Sequence, residues 1–232
     1  INSTAALKAF CGRHDGAVCT SSNARSVVTW AFQHGKKLLF FPDQHLGRNT
    51  CHALGIPLDE MVMYDPHDPH EKSGGNDAEA YARSRVILWR GHCSVHQNFM
   101  PSHPDVMRAR YPGIRILVHP ECQFEVVQKA DLVGSTRFII ETVKAAPAGS
   151  KWAIGTEHHL VNRLKNEHPE QFVSTLAPFA CQCSTMFRIS PEALCARLEE
   201  LVAGRESNVI RVDGDTAHWA TIALNRMLDM RD

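Results

Sequence analysis

The sequence predicts an α/β fold built from repeated strand-then-helix units around short parallel sheets. Three observations carry that expectation. Short apolar runs, each followed by a stretch of helical periodicity, recur along the chain. Most of these runs end in a polar cluster, as a site-bearing sheet edge would. The 232 residues, 44% hydrophobic and 22% charged, can bury a real core in one large domain or two small ones.

The strands expected are Lys37 to Phe41, Val86 to Trp89, Ile114 to Val118, Leu132 to Val133 and Lys151 to Ile154. Three of their ends carry an acid, in Pro42-Asp43-Gln44, His119-Pro120-Glu121 and Gly155-Thr156-Glu157. Two junctions are rich in hydroxyls, Thr20-Ser21-Ser22-Asn23-Ala24 and Gly134-Ser135-Thr136. Residues 1–95 are expected to form one unit and 96–182 a second, each opening with a helix. Residues 64–77 lack periodicity and are dense in turn formers, which reads as a mobile surface insertion whose His67 and His70 are solvated. In the C-terminal segment, 183–232, Ser190-Pro191-Glu192 starts a helix with Leu194, Leu198 and Leu201 as its packing stripe, and Trp219 to Met230 forms another.

Lys plus Arg equals Asp plus Glu at 25 each, so no basic footprint argues for nucleic acid or an acidic membrane surface. The longest apolar runs are too short to cross a bilayer and no secretory leader opens the chain, so the expected location is the cytoplasm. The start at Ile1, inside what reads as an already formed segment, suggests a trimmed chain. Eight Cys and 14 His are many for a cytosolic domain, where thiols stay reduced and open to metals.

Cys93 and His96 follow a strand in Gly91-His92-Cys93-Ser94-Val95-His96, where a loop can present a thiolate and an imidazole to a cleft; a buried thiol beside a capping His is the plainer alternative. Cys181 and Cys183 are too close together for both to bind one metal without strain, so one is expected to be a spectator. A zinc set of Cys93, His96, Cys181 and Cys183 lacks the usual C-x2-C spacing. Ser21-Ser22 and Ser135-Thr136 would converge hydroxyls and backbone N–H groups on an anion, or simply cap helices. His119 and Glu121 straddle Pro120 and can face one substrate, Glu121 as an acid/base group.

Eight ordered segments together resemble the quinolinate synthase family: Asn2-Ser3-Thr4-Ala5, Cys19 to Ala24, Pro42 to Asn49, Gly91 to His96, Val118 to Cys122, Gly134 to Thr136, Gly155 to Glu157 and Cys183 to Met186. The resemblance covers essentially the whole chain. It implies three similar α/β/α domains about a pseudo-threefold axis, of which about two are present here, with residues 183–232 bringing a ligand loop and then completing a first domain that has no counterpart in this sequence. It implies condensation of iminoaspartate with dihydroxyacetone phosphate to quinolinate, phosphate and water. The cofactor implied is a 4Fe-4S cluster held by one Cys per domain, with one open iron as Lewis acid. By position, Cys93 and Cys183 resemble cluster ligands, while Cys19, Cys122 and Cys181 match non-ligand positions. Ile1, Asn2, Ser21, His119, Pro120, Glu121, Ser135 and Thr136 fall at substrate-binding positions, and Glu121 and His96 at acid/base positions. Aspartate oxidase is the implied supplier of iminoaspartate. Two alternatives stay open, a zinc-dependent hydrolase using Cys93, His96, Cys183 and Glu121, and a non-catalytic phosphate-binding α/β module.

Overall fold

The computed structural model describes residues 3–68, 73–180 and 182–230, so Ile1, Asn2, His70 and Cys181 lie outside the described residues. The chain runs α1 (Ala5–Arg13), α2 (Ala24–His34), β1 (Leu38–Phe40), α3 (Gln44–Ala53), β2 (Met61–Tyr64), α4 (Ala78–Arg83), β3 (Val86–Trp89), α5 (His103–Arg110), β4 (Arg115–Val118), α6 (Phe124–Gln128), β5 (Leu132–Val133), α7 (Thr136–Ala145), β6 (Lys151–Gly155), α8 (His158–Glu167), β7 (Phe172–Thr175), α9 (Pro191–Val202) and α10 (Gly214–Asp229). It is an α/β protein with two short sheets, ordered β1-β3-β2 and β5-β4-β6-β7, and every strand pair is parallel.

Side-chain alternation decides what covers each sheet. In the second sheet Ile116, Val118 and Ala153 face Val95, Phe99, Met107 and Val126, while Leu117, Trp152, Ile154 and Val173 face Ile139, Val143, Val161 and Leu164. Helices α5 and α6 therefore cover one face and α7 and α8 the other, as an all-parallel sheet requires. Trp152 and Gln171 are both satisfied in this core: Trp152 Nε1 donates to Gln171 Oε1 at 3.0 Å, and Gln171 Nε2 donates to Val143 O at 2.9 Å. In the first sheet Phe40, Val86 and Leu88 pack on Ala24 and Val28 of α2 and Leu46 and Cys51 of α3. On its other face Leu39 is exposed, and the rings of Tyr64 and Trp89 pair at 5.3 Å.

Several expectations change here. β2 and β7 join the five strands read from sequence, and α10 begins at Gly214, five residues before Trp219, because Asp213 accepts from Thr216 N at 2.9 Å and caps it there. Among the described residues no strand precedes Ser21; Val18 N instead donates to Ala223 O of α10 at 3.1 Å. The described flanks of the 64–77 stretch are tied down, with Asp65 paired to Arg90 and Asn76 Nδ2 donating to Met63 O at 2.5 Å. The stripe Leu194, Leu198 and Leu201, expected to pack, is exposed. Its helix forms from local signals, Ser190 accepting from Ala193 N with Pro191 in the first turn, and those signals require no partner face.

The C-terminal segment does not lack a partner altogether, because α10 packs on α1. Ala223 and Met227 bury with Val18 beside Cys11, Arg13 pairs with Asp215, and Arg226 donates to Gly16 O at 2.9 Å. Gly12 permits the crossing: a Cβ there would lie 2.0 Å from Trp219 O and 2.9 Å from its carbonyl carbon, both backbone atoms that cannot rotate away. Gly to Ala within a helix ordinarily stabilises by about 0.5–1 kcal/mol. Here the sign is expected to reverse, Gly12→Ala costing about 1–3 kcal/mol in urea unfolding as the helices are forced apart; a stabilised variant would show that α1 and α10 do not meet in this way.

Candidate active site

The expected strand ends converge. In register, β4 has Val118 opposite Val133 on one side and Gly155 on the other, so His119 emerges beside Gly134 and beside Thr156. Cys93 follows β3, Asp43 follows the neighbouring β1, and the loop from Cys93 carries His96 across to the second sheet. The site thus lies at the carboxyl ends of parallel strands from both sheets, where open α/β folds place ligands.

His96 is buried at the centre. Its Nδ1 lies 3.0 Å from Glu121 Oε2 and its Nε2 3.3 Å from Thr156 Oγ1. Burial opposes its charge, but the Cys93 sulfur and the Glu121 carboxylate outweigh burial and raise its pKa to about 9. Protonated, it donates from both ring nitrogens. Its imidazolium in turn dominates its neighbours. Burial alone would raise the Cys93 thiol, yet the hydrogen bond and charge of His96 hold it below the ordinary thiol range. Glu121 likewise sits below the usual carboxylate range, His96 and then His119 overcoming the effect of burial.

His119 stacks on His96, ring centroids 4.4 Å apart and 14° from parallel. Burial first, and the adjacent charge of His96 second, lower its pKa to about 4 against the pull of Glu121. It is therefore neutral at physiological pH. Glu121 N donates to His119 Nδ1 at 3.3 Å, which leaves the ring proton on Nε2 as a donor for something else. The stacked pair is thus one charged and one neutral imidazole, with different work available to each.

Two residues that sequence reasoning gave no role hold this arrangement. Asp43 caps α3, Oδ1 accepting from Leu46 N at 2.7 Å, and spends its other oxygen on Cys93 N at 2.9 Å. Burial and then the charge of Glu121 raise its pKa to about 6 despite those N–H donors. Asn49, buried on the same helix, donates from Nδ2 to Pro120 O and Cys122 O, both at 2.8 Å, and so fixes the loop that carries Glu121. An Asp three residues before an apolar helical position is a legible cap; its second bond, 50 residues away in sequence, is not.

The sulfur of Cys93, a ring nitrogen of His96 and a carboxylate oxygen of Glu121 lie within 4.8 Å of one another. Cys183 is not in that group; it is half-buried against the same core cluster as Cys93, and its sulfur accepts from Met186 N at 3.5 Å. Cys122 is buried and its sulfur donates to Gly155 O at 3.4 Å. Ser135 is buried and caps α7, accepting from Phe138 N at 3.3 Å, whereas Thr136 beside it is exposed. Ser21 is half-buried in the turn before α2, and the side chain of Asn23 rather than Ser21 binds that turn, through Thr20 N and Oγ1. Capping therefore accounts for Ser135 but not for Ser21.

The family described as "Quinolinate synthetase A protein" matches residues 1–229. The chain is 58% identical over 231 residues to a quinolinate synthase of Rhodopirellula baltica, an alignment covering 100% of this chain and 58% of that protein. It is 55% identical over 233 residues to one from Acidobacterium capsulatum, covering 100% and 62% respectively. To one from Bacillus cereus it is 52% identical over 229 residues, covering 99% and 61%. The chain spans about three fifths of the length of the curated relatives it matches.

Proposed function

The chain belongs to the quinolinate synthase family, and we propose that it supplies most of an active site that condenses iminoaspartate with dihydroxyacetone phosphate, releasing phosphate and water to give quinolinate. The observation that carries this reading is the meeting of Cys93, His96, His119 and Glu121 at the carboxyl ends of parallel strands, with a depressed thiol and one charged and one neutral imidazole.

The donor chemistry fits an iron-sulfur cofactor. Cys93 offers a thiol readily deprotonated beside an imidazolium, on a turn held by Asp43, and soft thiolates are what such clusters take. Cys93 and Cys183 would hold a 4Fe-4S cluster as two of its three thiolates. When bound, the cluster supplies an iron without a protein ligand that serves as a Lewis acid toward the substrate.

The remaining roles fall to side chains. Glu121, an anion with His96 against Oε2, accepts a proton from substrate carbon, and the imidazolium of His96 returns one to a departing oxygen. His119 donates Nε2–H to a substrate carboxylate, while Ser21, Ser135 and Thr136, with Ile1, Asn2 and the Pro120 turn, complete the carboxylate and phosphate contacts. An oxidase such as aspartate oxidase would provide iminoaspartate. No helix among the described residues is long and apolar enough to cross a membrane, in keeping with small cytoplasmic substrates.

The compact group of Cys93, His96 and Glu121 favours one rival reading, a mononuclear zinc site in a hydrolase. Anaerobic reconstitution with iron and sulfide separates the two. With two of three thiolates, the 232-residue chain is expected to give low and labile cluster occupancy, restored when it is joined to the segment that its longer relatives carry. Stoichiometric zinc without acid-labile sulfide would overturn the cluster reading, and stable stoichiometric iron and sulfide in this chain alone would overturn the need for a third thiolate.

A further inference from the structure

The two cysteine turns are built alike. Asp43 follows β1 and Cys93 follows β3, its parallel neighbour; Glu157 follows β6 and Cys183 follows β7, its parallel neighbour. Each acid caps the next helix with one oxygen, Asp43 Oδ1 accepting from Leu46 N, and Glu157 Oε2 accepting from His159 N at 2.8 Å and Leu160 N at 3.3 Å. Each cysteine is followed by a serine and one turn of 3-10 helix, His96–Asn98 or Met186–Arg188, and its carbonyl accepts from the fourth residue on: Gln97 N to Cys93 O at 3.0 Å, Phe187 N to Cys183 O at 2.9 Å. The match extends to side chains. The residue two beyond the acid meets the residue four beyond the cysteine in both cases, His45 Nε2 with Gln97 Oε1 at 2.6 Å, and the His159 ring with the Phe187 ring at 5.4 Å.

One bond of the first set lacks its counterpart. Asp43 Oδ2 accepts from Cys93 N, but Glu157 Oε1 is buried, in a residue only 8% exposed, with no hydrogen-bond partner among the described residues. A buried carboxylate oxygen left without a donor is costly. We propose that Glu157 is the positioning residue for Cys183, its free oxygen accepting a backbone N–H of the Cys183 turn as Asp43 accepts that of Cys93. This deepens the reading of Cys183 as a ligand and rests on it for its consequence, since the bond would aim the second thiol from a fixed turn. The bond itself requires no metal.

Glu157→Ser separates the two uses of the side chain, because serine is as good a helix cap as an acid but has no second oxygen to offer. Amide hydrogen exchange of the metal-free chain, read at residues 183–188, is expected to be roughly tenfold or more faster in Glu157→Ser than in the unaltered chain. Exchange in α8 and at residues 93–98 should be unchanged. Glu157→Gln keeps the length and one carbonyl acceptor and should fall between. Asp43→Ser should produce the mirror result, fast exchange at the Cys93 turn alone. Equal exchange at residues 183–188 in the unaltered chain, Glu157→Ser and Glu157→Gln would overturn the proposal. Iron and sulfide content tests the cofactor reading independently: lost protection in Glu157→Ser in a chain that binds no cluster leaves the clamp and removes the cofactor, and unaltered protection in a cluster-binding chain does the reverse.

Discussion

Glu121→Gln is expected to lower turnover by roughly two orders of magnitude or more while leaving cluster content and substrate affinity nearly unchanged. Condensation, loss of phosphate and dehydration all move protons among carbon, nitrogen and oxygen. Among the described residues, the carboxylate oxygen facing both imidazoles is Glu121 Oε2, 3.0 Å from His96 Nδ1 and 3.9 Å from His119 Nδ1. Glutamine keeps the shape and can still accept from His96, but it cannot take up a proton, so the loss should appear in kcat rather than in KM. A second signature follows from the charges. His96 is raised in part by Glu121, and a folded-state pKa above its ordinary value marks a cation stabilised at low pH and lost as pH rises toward about 9. In the metal-free protein, removing the carboxylate should therefore bring the titration of His96, followed by NMR, to lower pH. His119→Ala should act differently, raising KM, because a neutral imidazole with a free Nε2–H binds rather than shuttles. The measurement is steady-state kinetics on cluster-loaded enzyme that includes the segment carried by the longer relatives; near-normal kcat in Glu121→Gln would remove Glu121 from the chemistry and leave it an ion-pair partner of His96.

The strands that could be read from sequence are those whose side chains are buried on both faces or bounded by clear turns. Ile116, Leu117 and Val118 form an unbroken apolar run because α5 and α6 cover one face and α7 and α8 the other. Phe172 to Thr175 was illegible for the opposite reason: it pairs with β6 through its backbone, yet half its side chains are hydroxyls. Met61 to Tyr64 sits against turn formers and is only half-buried. The site shows the same division. Polar clusters at strand ends marked Cys93, His96, His119 and Glu121 separately, but parallel pairing joins segments distant in sequence. That His96 would lie between Glu121 and Thr156, 25 and 60 residues away, depends on strand register that no local pattern encodes. Asp43 and Glu157, read from sequence only as acids at strand ends, each cap the helix that follows, and the second oxygen of Asp43 is decided by a loop that arrives from the neighbouring strand.

Thiol substitutions distinguish the cluster from a mononuclear metal. Cys93→Ser is expected to abolish iron-sulfur absorbance in enzyme that includes the additional segment, because a serine hydroxyl is a poor replacement for a soft thiolate. Cys183→Ser should do the same if it is the second thiolate. Cys122→Ser should retain the absorbance: that sulfur is buried against the core and donates to Gly155 O, a bond a hydroxyl can also make, at the cost of some stability from burying a more polar group. Cys181→Ser should likewise retain it if Cys183 is the ligand of the pair. The decisive comparison is Cys183 against Cys93. A metal held by Cys93, His96 and Glu121 alone would survive Cys183→Ser and be lost in Cys93→Ser and Glu121→Gln. A cluster would be lost in both cysteine variants and kept in Glu121→Gln. Metal and acid-labile sulfide measured on Cys183→Ser and Glu121→Gln therefore give opposite patterns for the two chemistries, with Cys93→Ser as the common loss, and retention of iron and sulfide in Cys183→Ser would show that the matching turns around Cys93 and Cys183 are a relic of a repeated fold rather than two halves of one cofactor site.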